Sequence, residues 1–182
     1  MAIEICGPGC RQKRVGRVYF QDGGARCVFD YTEHLEFLIR KWCTRYRALG
    51  HIEMDRVVLS AAKCRSRSRR GVYASITSLR YPNGRPADNS DRHLYRWPDV
   101  RKNGQSALYL VKFYLPRFHN LSFEDKVSTI LHELYHINPK FNGEFRCFGG
   151  RNWAHGGSEA VSYTHLRAHE TVLDLVCRLL LE

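Results

Sequence analysis

One stretch of the chain, Ser122 to Ile137 (SFEDKVSTILHELYHI), restricts the fold more than any other. It contains the pattern H-E-x-x-H, formed by His132, Glu133 and His136. Residues four apart lie on one face of an α-helix, so a helix would let both imidazole rings reach a single metal ion. Glu133 would then lie beside that face, within reach of a water molecule on the metal. The pattern has this chemical meaning only on a helix.

The residues around the pattern predict that helix. Ser122 with Asp125 three residues later is typical of an N-terminal cap. Asn138 and Pro139 give a stop signal directly after the pattern. Apolar residues recur at helical spacing and indicate one buried face: Phe123, Val127, Ile130, Leu131 and Leu134. We therefore expect the pattern to lie on an amphipathic helix.

These side chains suit a zinc ion. A catalytic zinc takes nitrogen and oxygen ligands tetrahedrally and keeps one position open for water. His132 and His136 are the predicted metal ligands, and Glu133 is the predicted general base for a zinc-activated water that hydrolyses a peptide bond. The alternative is a chance match, with two ordinary histidines on an amphipathic helix.

A catalytic zinc needs a third protein ligand, and the sequence offers three candidates. We favour His155, which lies in a loop with glycines on both sides, because imidazole is a common third ligand and glycines permit close backbone approach. Glu159 is the second choice, and Glu144 could equally contact the metal ligands instead of the metal. The longer pattern H-E-x-x-H-x-x-G-x-x-H is excluded, because Pro139 and Asn142 replace its glycine and last histidine.

The rest of the chain is predicted to contribute a helix and several strands. The predicted elements are a helix from Thr32 to about Gly50, strands at 54–61, 71–81, 93–97 and 107–115, and a hairpin turn at Asn103-Gly104. A helix, several strands and then the H-E-x-x-H helix suit an α+β fold, in which helices pack on one face of a small sheet.

Composition limits the class of protein. Hydrophobic residues make up 43% of the chain, which is typical of a globular protein. No run of about 18 apolar residues and no apolar signal-peptide core are present, so we expect no membrane segment and a cytoplasmic location. The seven cysteines are irregularly spaced, which favours free thiols over disulfides. A second zinc site at Cys6, Cys10 and Cys27 is disfavoured, because no C-x-x-C pair accompanies them.

The net charge of +11 raises the alternative of a nucleic-acid partner. The densest basic cluster of the chain consists of Arg65, Arg67, Arg69 and Arg70. This cluster could contact nucleic acid, or it could be a solvated loop between two strands. The second functional hypothesis is therefore a basic, zinc-stabilised nucleic-acid-binding module without proteolytic activity.

Two segments, HELYHINPKFNGEFR and GGRNWAHGGSEA, resemble the phage-type metallopeptidases, a SprT/Spartan-like branch of the zincins. The matching positions after the first motif are Pro139, Phe141, Gly143, Arg146, Gly150, Arg151 and His155. The resemblance covers roughly residues 29–160. It implies a minimal zincin-like domain with a small, mainly antiparallel sheet, and a Zn²⁺ site of His132, His136 and His155 with Glu133 as base. It also implies protein or peptide substrates, DNA-bound proteins among them, in a bacterial or phage-infected cell.

The end of the chain, residues 161–182, resembles something else. VSYTHLRAHET and LVCRLLLE are similar to translated adapters used in sequencing libraries. Three residues of this tail are therefore not predicted as ligands despite their type: His165, His169 and Glu170. We expect a metallopeptidase domain at 29–160 that continues further in the natural protein, preceded by a segment of unknown role at 1–28.

Overall fold

The computed structural model describes residues 4–5, 17–22, 25–64, 71–89 and 93–147, and before residue 30 it describes the backbone alone. Within these residues the helices are α1 (Tyr31–Arg45) and α2 (Phe123–Tyr135). The strands are β1 (Glu4–Ile5), β2 (Arg17–Asp22), β3 (Ala25–Asp30), β4 (Val57–Lys63), β5 (Ala74–Ser78), β6 (Ala87–Asp88), β7 (Tyr95–Arg96), β8 (Val100–Lys102), β9 (Gln105–Ser106) and β10 (Tyr109–Leu115).

The central sheet has the strand order β4–β10–β5. Its middle strand, β10, pairs antiparallel with β5 and parallel with β4, so that Val111 lies opposite Ile76 on one side and Leu59 on the other. The other strand pairs, β1–β8, β8–β9, β2–β3 and β6–β7, are all antiparallel. The predicted α+β class is confirmed, with a single parallel pair among the described residues.

Both helices cover the same face of this sheet. Alternate residues of a strand point to opposite faces, and Tyr109, Val111 and Phe113 of β10 are all buried. They form one hydrophobic core with residues of the two helices: Ile39 and Trp42 from α1, and Val127, Ile130 and Leu134 from α2. The predicted apolar face of the motif helix is thus confirmed at its centre. Phe123, in the first turn of α2, is the exception, since 37% of it is exposed.

Helix α1 begins and ends earlier than the sequence pattern predicts. Its N-cap is Asp30, whose carboxylate accepts a hydrogen bond from the backbone N–H of Glu33 (3.2 Å). Thr32, the predicted start of the helix, instead lies in the first turn and donates its hydroxyl to the same carboxylate (2.8 Å). The helix ends at Arg45, ahead of the predicted end at Gly50. The prediction of Thr32 was therefore wrong, because a carboxylate two residues earlier accepts both hydrogen bonds.

The predicted hairpin turn at Asn103-Gly104 is confirmed, and it joins β8 to β9. Both residues have positive φ angles, +52° at Asn103 and +79° at Gly104. Two-residue hairpin turns need this backbone geometry, which asparagine and glycine adopt readily.

Lys102, next to this turn, is a buried cation that the sequence pattern did not predict. Only 5% of it is exposed. Its Nζ donates to the backbone carbonyls of Met54 (2.7 Å) and Val57 (2.8 Å) and lies 2.8 Å from the Glu36 carboxylate. Burial lowers the pKa of Lys102, and Glu36 opposes that shift. This one ammonium group therefore ties the β8–β9 hairpin to α1 and to the start of β4.

Replacing this lysine, in Lys102→Met, is expected to lower the free energy of unfolding by about 3 kcal/mol, because it leaves buried groups without their partner. The methionine keeps the length of the side chain but cannot donate to the two carbonyls or to Glu36. Urea unfolding followed by circular dichroism measures the change. Lys63→Met is the matched control, since Lys63 is exposed at the end of β4. Equal stability of the two variants would contradict the assigned role.

In the described part of the chain, neither α1 nor α2 is both long and apolar enough to span a membrane.

Candidate metal centre

Helix α2 forms for the reasons that its sequence suggests. The Ser122 side chain accepts a hydrogen bond from the backbone N–H of Asp125 (3.1 Å), which caps the first turn as predicted. Two acidic residues in that turn, Glu124 and Asp125, stabilise the positive end of the helix dipole. The helix ends at Tyr135, so it contains four of the five motif residues, and the final histidine, His136, is its C-cap.

His132 and His136 lie side by side, as the four-residue spacing predicts. Their Nε2 atoms are 3.2 Å apart, and the two rings are nearly perpendicular at 87°. Two nitrogen ligands of a tetrahedral zinc ion lie about 3.3 Å apart, given Zn–N bonds of about 2.05 Å. The pair therefore fits two ligand positions of one zinc ion. His132 is exposed and His136 is half-buried, which leaves the pair accessible from solvent.

Glu133 occupies a different environment from the histidines. It is only 9% exposed, and burial raises the pKa of its carboxyl to about 7. A hydrogen bond from the backbone N–H of Ile76, in strand β5, opposes the shift. A carboxyl with a pKa near neutrality can take up and release a proton at the pH where enzymes work. The link between Glu133 and β5 was not predictable from the motif.

The third ligand is not among the described residues near the pair. No third His, Cys, Asp or Glu of the described chain completes a group that could hold a metal ion with His132 and His136. His155 and Glu159 lie outside the described residues, so both stay predictions.

Glu144, the remaining candidate, is described and has other partners. One carboxylate oxygen accepts a hydrogen bond from the backbone N–H of Asn83 (2.5 Å). The other accepts from the side-chain amide of Asn142 (2.5 Å). Because both oxygens are engaged in the loop that follows α2, the contacts of Glu144 favour a structural role over metal ligation.

The chain after α2 turns back on the helix end, and we call residues 137–146 the return segment. Ile137 pairs with Phe145 in an antiparallel bridge. One residue beyond that bridge, the backbone N–H of Arg146 donates to the carbonyl of His136 (2.8 Å). The guanidinium carbon of Arg146 lies 4.1 Å from the centre of the Tyr135 ring, a cation–π contact. The return segment therefore contacts the motif itself.

A family model with the description "Putative phage metallopeptidase" matches residues 27–161, which is most of the chain. The chain belongs to this family. The predicted resemblance to phage-type metallopeptidases is thus confirmed, whereas the SprT/Spartan-like branch stays a prediction. The family description implies a metal cofactor and protein substrates. No curated protein and no solved structure is significantly similar to the chain.

Two further predictions fall outside the described residues. The arginine cluster predicted to contact nucleic acid consists of Arg65, Arg67, Arg69 and Arg70, and it lies at residues 65–70, which the structure does not describe. The disfavoured zinc site is also outside the described part of the structure, because the side chains of Cys6, Cys10 and Cys27 are not described. Three other cysteines are described, all as free thiols: Cys43, Cys64 and Cys147.

Proposed function

We propose that the chain is a zinc-dependent peptidase in which His132, His136 and His155 bind the metal and Glu133 is the general base. The observation that carries this proposal is the histidine pair, with Nε2 atoms 3.2 Å apart, next in sequence to a buried glutamate in a chain of a metallopeptidase family. Glutamate and imidazole at these positions are the groups that hydrolytic metal chemistry uses.

When bound, zinc supplies a Lewis acid that makes water a nucleophile near neutral pH. Glu133 takes the proton that this nucleophile loses and later passes it to the leaving amine of the substrate. Its buried carboxyl is suited to both steps, because burial brings the carboxyl pKa to about 7. A carboxyl with an ordinary pKa would take up the proton less readily.

The edge of the central sheet at β5 supports the proposal that the substrate is a polypeptide. Among the described residues β5 pairs only with β10, so its other edge has no strand partner. Antiparallel strands bond through alternate residues. Just beyond the ends of β5 and β10, the N–H of Leu79 donates to the carbonyl of Leu108 (2.8 Å), which sets the phase of the bonds between the two strands. Ile76 lies between the residues that bond to β10, so its N–H points away from β10 and donates to Glu133. An extended peptide added to this edge would therefore run past the proposed base.

Metal removal tests the proposal. We expect the purified full chain to bind about one zinc ion per molecule and to cleave an unfolded, fluorescently labelled protein. Dialysis against a chelator should abolish cleavage, and added zinc should restore it, because the nucleophile depends on the metal. Zinc content by mass spectrometry and cleavage by fluorescence measure the two effects. A zinc-loaded chain that cleaves no unfolded protein would argue against the function.

A further inference from the structure

The two histidines of the pair are not held in the same way. His132 lies within α2, where the helix fixes its backbone. His136 lies one residue beyond the helix end, at the C-cap. Its N–H bonds to the carbonyl of Glu133 at 3.2 Å, three residues back instead of four, so the last turn is tightened. Helix ends fray easily, and His136 therefore needs support from outside the helix.

The return segment gives that support. The backbone N–H of Arg146 donates to the carbonyl of His136 (2.8 Å), which lies beyond the reach of the helix hydrogen bonds. Next to this bond, Asn138 donates its N–H to the carbonyl of Glu144 (3.3 Å). The backbone of His136 is thus held by a short antiparallel pairing, whose position depends on what holds the return segment.

The Tyr109 hydroxyl of β10 holds the return segment to the sheet. It donates to the carbonyl of Glu144 (2.6 Å) and accepts from the backbone N–H of Gly143 (3.1 Å). Tyr109 is fully buried, and its ring packs on Phe141 of the same segment with centroids 5.5 Å apart. Burial raises the pKa of Tyr109 to about 12, so the hydroxyl stays protonated and remains a donor at working pH.

Close packing at Gly143 leaves the return segment little freedom to shift. Gly143 has a φ angle of +87°, which favours glycine. A Cβ atom at this position would lie 2.5 Å from the side chain of Arg80. The carbonyl of Gly143 also accepts a hydrogen bond from the Ser78 hydroxyl. The segment is therefore fixed at the same residue that donates to Tyr109.

We propose that the hydroxyl of Tyr109 positions His136 for metal binding, acting through the return segment. Tyr109 is a positioning residue in this proposal and does not contact the metal or the substrate. The proposal rests on the proposed function, because it requires the histidine pair to bind a metal ion. It predicts that metal affinity depends on a hydroxyl in the middle strand of the sheet.

A matched pair of variants tests this dependence. Tyr109→Phe removes the hydroxyl that bonds to the return segment. Tyr114→Phe removes a hydroxyl from the same strand, where Tyr114 lies on the opposite face and is 3.3 Å from the Ser75 hydroxyl. We expect Tyr109→Phe to weaken Co²⁺ binding about tenfold, as is usual for groups that support metal ligands, and Tyr114→Phe to change it less than about twofold.

Two measurements separate positioning from general stability. Co²⁺ titration by absorption is carried out at a temperature where circular dichroism shows every variant to be folded. Amide hydrogen exchange of the metal-free protein reports the bond from Arg146 to His136, and exchange at Arg146 should become faster only in Tyr109→Phe. If Tyr109→Phe does not fold, Ser78→Ala removes another contact to the same segment and should shift both measurements in the same direction.

Each outcome has one meaning. Equal Co²⁺ affinity of wild type and Tyr109→Phe, even with a lower melting temperature, would overturn the proposal and leave the proposed function intact. A tenfold loss in Tyr114→Phe as well would also overturn it, because the effect would then be general. A wild-type chain that binds neither Co²⁺ nor Zn²⁺ would instead overturn the proposed function itself.

Discussion

Glu133→Gln is expected to lower kcat/KM for cleavage of an unfolded protein by about 1000-fold, while zinc stays bound. Glutamine has the size of glutamate and can still accept the N–H of Ile76, but its amide cannot take up a proton near neutral pH. The fold should not suffer, because the change removes a carboxyl whose burial already disfavours its charged form. Activity, zinc content and melting temperature of the same preparation measure the three expectations.

Glu124→Gln is the control for this substitution. Glu124 lies on the same helix, in its first turn, and is exposed. We expect its activity to stay within about twofold of wild type, since surface changes of this kind have small effects. Cleavage by Glu133→Gln within tenfold of wild type would remove Glu133 from its role as base. Loss of zinc from Glu133→Gln would point instead to a role in metal binding.

His132→Ala and His136→Ala are each expected to lower zinc affinity by roughly 100-fold or more, because each ligand contributes about 3 kcal/mol to zinc binding. The metal-free proteins should differ less in stability, since His132 is exposed and alanine favours the helix. Zinc at 100 times its wild-type Kd should stabilise the wild type by about 2.7 kcal/mol and the variants far less. Thermal unfolding with and without zinc measures the difference.

His93→Ala is the control for the histidine variants. His93 is exposed next to β7, where its ring contacts Tyr95 edge-on with centroids 6.3 Å apart. We expect His93→Ala to keep the zinc-dependent stabilisation of the wild type. If His132→Ala and His136→Ala also kept it, the histidine pair would be an ordinary surface contact and the metal centre would have to lie elsewhere.

The motif helix was the part of the fold that its sequence predicted best. Its cap at Ser122, its buried face around Ile130 and the adjacency of His132 and His136 all follow from residues within one or two helical turns. Interactions over such short separations are repeated in many proteins, so they can be read from spacing alone. The first helix was predicted less well, because Asp30 lies outside the apolar pattern that defines the helix.

Local spacing was enough to predict that His132 and His136 lie side by side on α2, because the four-residue spacing and the apolar periodicity involve residues within a few helical turns. The surroundings of this pair depend on contacts between elements that are far apart in the sequence. The bond from Ile76 to Glu133, the bond from Tyr109 to Glu144 across 35 positions and the bond from Lys102 to Met54 across 48 positions depend on strand register. A shift of one residue in a strand would turn these side chains to the other face, and no local pattern specifies which register the folded chain adopts.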